Sequence, residues 1–257
     1  MPLPHDYEKK MTNPTKYLIA IASYNEIENI PLLVETIFNE TDAFATSDNL
    51  SFDILVVDDN SPDGTGNWCD ANSARFPRLK CLHRAERKGL GTAVIEALQY
   101  AIQNDYDRVI NMDGDFSHHP RYLRALSGDG RASESRLADV VIGSRYVSGG
   151  GVKGWSWRRH FMSSAINLLA RTLLGLHVRD LSGSFRNYSV PALRKLDFSK
   201  FQSRGYSFFE EILWRLKLVG ADFEEIPIIF EDRQRGKSKI NLFESLRAVW
   251  TLFSLRR

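Results

Sequence analysis

Four short apolar runs that close on polar residues, with helical periodicity between them, fix the kind of fold this chain can adopt. They are KYLIAIAS (16–23), FDILVVDD (52–59), LKCLHR (79–84) and DRVINMD (107–113). Between the first two, Ile27, Ile30, Leu33, Val34 and Ile37 recur at helical spacing. A helix is expected over 65–75, after the Pro and Gly of DNSPDGTG break the second run, and GLGTAVIEALQYAIQN reads as another. Strands alternating with helices in this way predict an α/β fold on a mainly parallel, doubly wound sheet. The unbroken apolar character of FDILVVDD predicts a strand covered on both faces.

From Ala138 the rhythm loosens. ADVVIGSRY reads as a further strand, SGGGVKG as a glycine-rich loop, and a long basic helix is expected from near Trp155. A last helix–strand pair is legible in FFEEILWRLKLVG and DFEEIPIIFED. In the tail, Leu242, Leu246, Val249, Trp250 and Phe253 share one helical stripe. The expected organisation is a polar leader over 1–15, one α/β domain over 16–240 and a C-terminal amphipathic helix over 241–257. The length of 257 residues is ample for one large core.

The formal net charge of +2 conceals an asymmetry. Residues 1–143 carry 14 basic and 22 acidic side chains, a net of −8, and residues 144–257 carry 20 and 10, a net of +10. Two cysteines, Cys69 and Cys81, with no CxxC motif point to a reducing compartment and speak against structural zinc. The first residues contain no signal-peptide core. No apolar run approaches the roughly 20 residues a membrane-spanning helix needs, so a soluble or peripheral protein is expected.

In open α/β sheets ligands bind beyond the carboxyl ends of the strands. Three of the runs end there in polar or acidic residues: Tyr24, Asn25 and Glu26; Asp58 and Asp59; Asp113 and Asp115. The sharpest element is MDGDFSHH (112–119), where two aspartates flank Gly114 at a strand end. Such hard oxygen donors suit Mg²⁺ or Mn²⁺. His118 and His119 read as structural. The GxG of ERKGLGTAV imitates a dinucleotide fingerprint, but Val94 holds the third small position and the motif lies in the third unit, so a tight turn is the better reading. Arg145 in GSRY and RQRGKSK (233–239) supply cations suited to phosphate. Nucleic acid is disfavoured by the acidic mouth opposite. In WSWRRHFMSSAINLLARTLLGL (155–176), Phe161, Ala165, Leu168, Leu169 and Leu173 group on one face beside arginines, which reads either as an interfacial membrane helix or as a helix packed on the core.

Taken in order, ASYNEIENIP, VVDDNSPDGT, KGLGTA, MDGDFSHHP, GSRY, DLSGSFRNY, GYSFFEEI and DRQRGKSK resemble the dolichol-phosphate (polyprenol-phosphate) mannosyltransferases, inverting nucleotide-sugar glycosyltransferases of the GT-A fold. The resemblance covers about residues 16–242. It implies transfer of mannose from GDP-mannose to a polyprenyl or dolichyl phosphate, with Mg²⁺ or Mn²⁺ as cofactor, by a protein peripheral on the cytoplasmic face of a membrane. By the same resemblance Ala22, Tyr24, Glu26, Val57 and Asp59 belong to the donor nucleotide pocket. Asp113 and Asp115 would hold the metal, Gly114 would lie against the nucleotide, and Ser117 matches a metal-side position in some relatives. Arg145, Arg233 and Lys239 match phosphate-gripping residues, with Asp115 and Arg145 the catalytic pair. Ala22 stands where the family has Pro, and Gly114 where Ala is common. No transmembrane helices precede Arg257, so the chain resembles catalytic subunits that rely on a small membrane-anchoring partner.

The chemistry of such a site is consistent. A phosphate acceptor is already anionic near neutral pH, so screening by cations matters more than a strong base. Three other readings stay open on sequence: a UDP-sugar-dependent glucosyltransferase with the same acceptor, a nicotinamide-dependent oxidoreductase, and a non-catalytic scaffold subunit.

Overall fold

A computed structural model describes residues 13–128 and 136–232. In chain order its main elements are β1 (Thr15–Ser23), α1 (Ile30–Asp42), β2 (Leu50–Asp58), α2 (Thr65–Ala71), β3 (Leu79–His83), α3 (Leu90–Gln103), β4 (Arg108–Asp113), β5 (Val140–Ser144), β6 (Gly151–Lys153), α4 (Trp157–Leu174), β7 (Arg186–Ser189), α5 (Phe208–Leu218), β8 (Phe223–Pro227) and β9 (Ile229–Glu231). The tail helix expected over 241–257 lies outside the described residues, and so do Arg233 and Lys239.

Seven strands form one sheet in the order β3-β2-β1-β4-β7-β5-β8, and β6 pairs with β9 apart from it. β1 is parallel to both β2 and β4. The two faces of β1 divide the core by simple alternation. Tyr17, Ile19 and Ile21 pack with Ile30, Leu33, Val34 and Ile37 of α1, while Leu18 and Ala20 pack with Ala93, Val94, Ala97 and Leu98 of α3. Six of the nine residues of β2 are buried, including the consecutive run from Ile54 to Asp58, as its unbroken apolar sequence predicts. No helix among the described residues is long and apolar enough to cross a membrane.

The second half departs from the expected reading. β7 is inserted antiparallel between β4 and β5, where no strand is expected from the sequence. Its residues RNYS look like a loop because three of the four are polar, yet Arg186 and Asn187 are wholly buried. Most of their polar groups are satisfied inside: Arg186 donates to the carbonyl of Phe209 at 2.6 Å, although its Nε has no partner among the described residues, and Asn187 accepts from Arg108 Nε at 2.8 Å and donates to the carbonyl of Leu126 at 2.7 Å. DFEEIPIIFED splits at Ile228 into β8 and β9, which belong to different sheets. α2 ends at Ala71, four residues before the expected end.

The glycines of the KGLGT turn are explained by packing. Gly89 has φ +104°, and a Cβ there would sit 2.4 Å from the carbonyl oxygen of Arg204. At Gly91 a Cβ would approach Cβ of Phe208 to 2.8 Å and the carbonyl oxygen of Ser203 to 2.9 Å, while the Gly91 N–H donates to the Arg204 carbonyl at 2.9 Å. The start of α3 is pressed against the backbone of 203–204, which leaves no room for a side chain. Gly91→Ala is therefore expected to destabilise the fold by about 1–3 kcal/mol, read as a lowered denaturant midpoint at unchanged slope.

Candidate active site

The chain runs outward from β1 to β2 and β3, then returns to the other side of β1 as β4, so the strand order reverses between β1 and β4. Ligand sites open at such a switch point. Here Ala22 of β1 stands opposite Asp113 of β4. The segments that follow the two strands line a cavity of about 700 Å³.

The loops after β1 and β2 hold each other in place. Asn25 and Asn60 take φ of 56° and 57°, a left-handed conformation that asparagine tolerates better than most residues. Asp63 accepts the Ile27 N–H at 3.0 Å and the Thr65 hydroxyl at 2.6 Å. The Thr65 hydroxyl oxygen accepts the Glu26 N–H at 3.1 Å, and Ser61 Oγ accepts the Asn25 N–H at 3.0 Å. Desolvation acts to raise Asp63, but the Thr65 hydroxyl and the N–H groups of Ile27 and Thr65 outweigh it and hold the carboxyl below its ordinary value.

At the end of β4, Asp113 Oδ1 accepts the Ser184 hydroxyl at 2.7 Å and Asp115 Oδ1 accepts the Ser117 N–H at 3.0 Å. The turn between them places Phe116 at φ 63°, an unusual conformation for a bulky side chain and one that occurs at functional sites. His118 is buried and stacks on Phe185 at 4.9 Å between ring centroids. Burial holds its pKa below the ordinary value, and its Nδ1 accepts the Asp113 N–H at 3.3 Å. The ring is thus a neutral brace for the Asp113 turn, although Asp113 Oδ2 lies only 3.6 Å away. His119 caps the next turn by accepting the Arg121 N–H at 3.1 Å. The pair Asp113 and Asp115 presents carboxylate oxygens to the cavity, a donor set that fits Mg²⁺ or Mn²⁺. At Gly114 a Cβ would meet Ile21 and Ile30 side-chain ends at 3.3 and 3.4 Å, so alanine there is a tight fit without backbone strain.

Ala22, Tyr24, Glu26, Asp59, Asp113, Gly114, Asp115, Ser117 and Arg145 all line the cavity. Val57 does not: its side chain is wholly buried in the core on the α3 side of the sheet. Val57 lies on the same sheet face as its β1 register partner Ala22, but the core covers it there and its side chain does not reach the cavity. Arg145 is more committed than a simple phosphate grip. Its Nε and Nη2 bind the two oxygens of buried Asp180 at 2.8 and 2.7 Å, its N–H adds a third bond at 3.0 Å, and Nη2 also reaches Ser182. Desolvation opposes the charge on Asp180, but the Arg145 guanidinium outweighs it and keeps the carboxyl below its ordinary value.

Several wall residues carry no sequence signal. Arg87 lies over the Tyr24 ring at 4.7 Å, and Arg159 over the Trp155 ring at 4.2 Å while pairing with Asp232 at 3.0 Å. Arg84 is buried and grips Asp59, with further bonds to Glu96 and Thr92 at 3.1 and 2.7 Å. Glu210 lines the cavity at 3% exposure, and its Oε2 has no hydrogen-bond partner among the described residues. Burial pushes this carboxyl up to about 7, against the pull of Arg186 and Arg145. The adjacent pair Glu210–Glu211 looks like an ordinary acidic first turn of a helix, so sequence cannot tell the cavity carboxyl from its neighbour. Glu211 instead accepts the backbone N–H groups of Gln202 and Ser203.

Residues 18–197 match glycosyl transferase family 2. The chain is 38% identical over 226 residues to the undecaprenyl-phosphate mannosyltransferase of Micrococcus luteus, covering 88% of each chain. It is 37% identical to the polyprenol monophosphomannose synthase of Mycolicibacterium smegmatis, covering 87% of this chain and 80% of that one. Among solved structures, its fold is similar to glucosyl-3-phosphoglycerate synthase from Mycobacterium tuberculosis in complex with Mn²⁺, UDP and glucosyl-3-phosphoglycerate, with a TM-score of 0.61, 20% identity and 96% and 81% of the two chains covered. Mannosyl-3-phosphoglycerate synthase from Rubrobacter xylanophilus aligns with a TM-score of 0.64 at 16% identity, covering 98% and 76%.

The raised Glu210 carboxyl has a stability consequence. Its native value of about 7 exceeds its ordinary 4.5, so the folded state binds the proton more tightly than the unfolded chain. The stability this confers is complete below pH about 4.5 and is lost as pH rises through about 7. Between pH 4.5 and 8 the wild type should therefore lose on the order of 3 kcal/mol more unfolding free energy than Glu210→Gln, measured by denaturant titration at the two pH values. Parallel losses in the two proteins would show that the carboxyl is not held neutral.

Proposed function

The chain belongs to glycosyl transferase family 2, and from that premise we propose that it moves mannose from GDP-mannose to the monophosphate of a polyprenyl lipid. Inversion at the anomeric carbon would give a β-mannosyl phosphoryl lipid. The observation that carries this reading is the double role of α4. Arg159, Met162, Ser163 and Ile166 line the cavity together with Trp155 just before the helix. On its outer side Trp157, Phe161, Leu168 and Leu169 are exposed, at 75%, 71%, 63% and 39%. A lipid phosphate requires both properties at once, an ionic pocket for the headgroup and an apolar surface beside it for the chain. The two relatives, named for undecaprenyl phosphate and polyprenol monophosphomannose, support the same acceptor class.

In this reading Ala22, Tyr24, Glu26 and Asp59 receive the nucleoside, with Arg84 fixing the Asp59 carboxylate. Asp113 and Asp115, with Ser117 alongside, hold a divalent cation, which when bound offsets the charge of the departing nucleoside diphosphate. Arg87 and Arg159 at the cavity wall, with Arg233 and Lys239 from the segment beyond Asp232, screen the approach of one anion to another. Arg145 helps chiefly by position: its bonds to Asp180 fix the loop that brings Ser182 and Ser184 to the cavity. The acceptor oxygen attacks as the phosphate anion and needs no proton removed.

A donor panel tests this. With a short polyprenyl phosphate and Mg²⁺ or Mn²⁺, GDP-mannose should exceed UDP-glucose in kcat/KM by at least about tenfold, roughly the 1.4 kcal/mol of one well-placed base contact. The product should be the β-anomer. Preference for UDP-glucose would instead favour a glucosyltransferase, and an α-linked product would exclude a single displacement.

The surface of α4 also gives a membrane prediction. Of the sequence stripe expected to pack or to meet lipid, Phe161, Ala165, Leu168 and Leu169 turn outward and Leu173 packs against the core, while Asn167, Ala170 and Leu174 face inward. Its basic residues Arg158, Arg159 and His160 cluster at the cavity end. Trp157→Ser combined with Phe161→Ser should reduce co-flotation with vesicles containing anionic phospholipid by at least about tenfold, given the roughly 1.5–3 kcal/mol of burial each large apolar side chain contributes. Trp155 is a poor choice for this test, because its ring packs against Phe230 at the cavity wall. Undiminished flotation of the double variant would remove α4 from the membrane contact.

A further inference from the structure

The chain's only two cysteines lie far apart for a sequence motif, yet the fold places them side by side. α2 carries Cys69 and Asp70, and the edge strand β3 carries Cys81 and His83. Cys81 and His83 are two residues apart on a strand and so share a face. A carboxylate oxygen of Asp70, the sulfur of Cys81 and a ring nitrogen of His83 all fall within 4.8 Å of one another. His83 Nε2 stands 2.9 Å from Asp70 Oδ2, and the Cys69 thiol neighbours that of Cys81. One helical turn before Asp70, a Cβ at Gly66 would be 2.8 Å from the His83 ring. Glycine at that position is what lets the imidazole lie against α2.

An Asp–His contact alone would be an ordinary surface ion pair. The two thiols beside it change the chemistry, because sulfur, imidazole nitrogen and carboxylate oxygen together form the donor set of zinc-class ions and suit Mg²⁺ poorly. We propose that Asp70, Cys81 and His83 form a binding site for a zinc-class divalent metal, with Cys69 or a water molecule completing four-coordination. This site is separate from the carboxylate pair in the cavity and does not depend on the transfer reaction. Asp70 and His83 are exposed, Cys81 is half-buried and Cys69 is buried, so the metal has a path from solvent to the sulfur. The neighbouring Cys69 thiol and burial hold the Cys81 thiol well above its ordinary value. Binding therefore releases the thiol proton to solvent as the metal–thiolate bond forms, and it strengthens as pH rises. The ion would pin α2 to the end of β3, one residue before Arg84, whose guanidinium holds Asp59 at the cavity wall.

Cobalt is the probe. The full chain, stripped with chelator, is titrated with Co²⁺ while the near-ultraviolet thiolate-to-cobalt absorption is recorded. The expected result is a band saturating at one equivalent in the wild type and in Asp115→Ala, and bleached by Zn²⁺. Cys81→Ser should abolish the band, and His83→Asn should weaken cobalt affinity by about tenfold or more. Because His83 is exposed, its variant tests the site without a cost to folding. Zn²⁺ should also raise the Tm of the wild type but not that of His83→Asn. Absence of a thiolate band in the wild type, or an unaltered titration in His83→Asn, would overturn the proposal.

Discussion

The buried pair Arg145–Asp180 organises the half of the cavity that the parallel strands do not build. Asp180 is wholly buried and accepts three bonds from Arg145 and one from the Gly183 N–H at 2.9 Å. A Cβ at Gly183 would sit 3.0 Å from Asp180 Oδ1, so glycine eases the fold of the loop back onto the carboxylate. That closure delivers Ser184 to Asp113 and Ser182 to Asn167 of α4. Glu225 of β8 holds the other side by accepting the N–H groups of Arg179 and Asp180. Breaking one partner of such a pair leaves an uncompensated buried charge, which costs several kcal/mol.

Electrostatic economy runs through the rest of the site. Carboxylates gathered at a sheet edge repel, and each is neutralised in a different way. Asp59 is matched by Arg84, Asp113 leans on a serine hydroxyl and a neutral histidine, Asp180 is absorbed by Arg145, and Glu210 sits near its midpoint at neutral pH. The cations at the rim, Arg87 and Arg159, are held over aromatic rings. A guanidinium on an aromatic face keeps donors available at its edge, unlike one clamped in a fork-to-fork carboxylate pair.

Legibility in the sequence followed the hydrophobic pattern and stopped where polar residues turn inward. β1 to β4 were readable because parallel strands covered on both faces are continuous apolar runs, and their polar tips marked the cavity mouth. β7 was unreadable because Arg186 and Asn187 bring their own hydrogen-bond partners into the core. The same inversion hid Glu210 and Arg84, both buried although charged. Val57 shows the limit of motif position: it stands beside the site in sequence and on the sheet face of Ala22, yet its side chain is covered by the core. The thiol cluster was invisible because Cys69 and Cys81 lie on different elements, and only the packing of α2 on β3 joins them. Motif order across the chain gave the family, since no single loop residue carries that much information.

α4 is the element on which the two kinds of information meet. Its sequence has a clear apolar stripe, and burial energy alone would turn that stripe toward the core at about 25 cal/mol per Å². The fold does the opposite, burying Asn167, whose amide bonds the Ser163 carbonyl and Ser182 and whose oxygen accepts the Leu181 N–H. The inner face carries Asn167 with Ala170 and Leu174, while large apolar residues occupy the outer face, the arrangement that the proposed lipid contact requires. Trp155 and Arg159 at its start reach the cavity, so whatever covers the outer face lies directly beside the ionic pocket. An acceptor with a charged head and a long apolar chain satisfies both faces with one molecule, which neither a sugar nor a nucleotide alone would do.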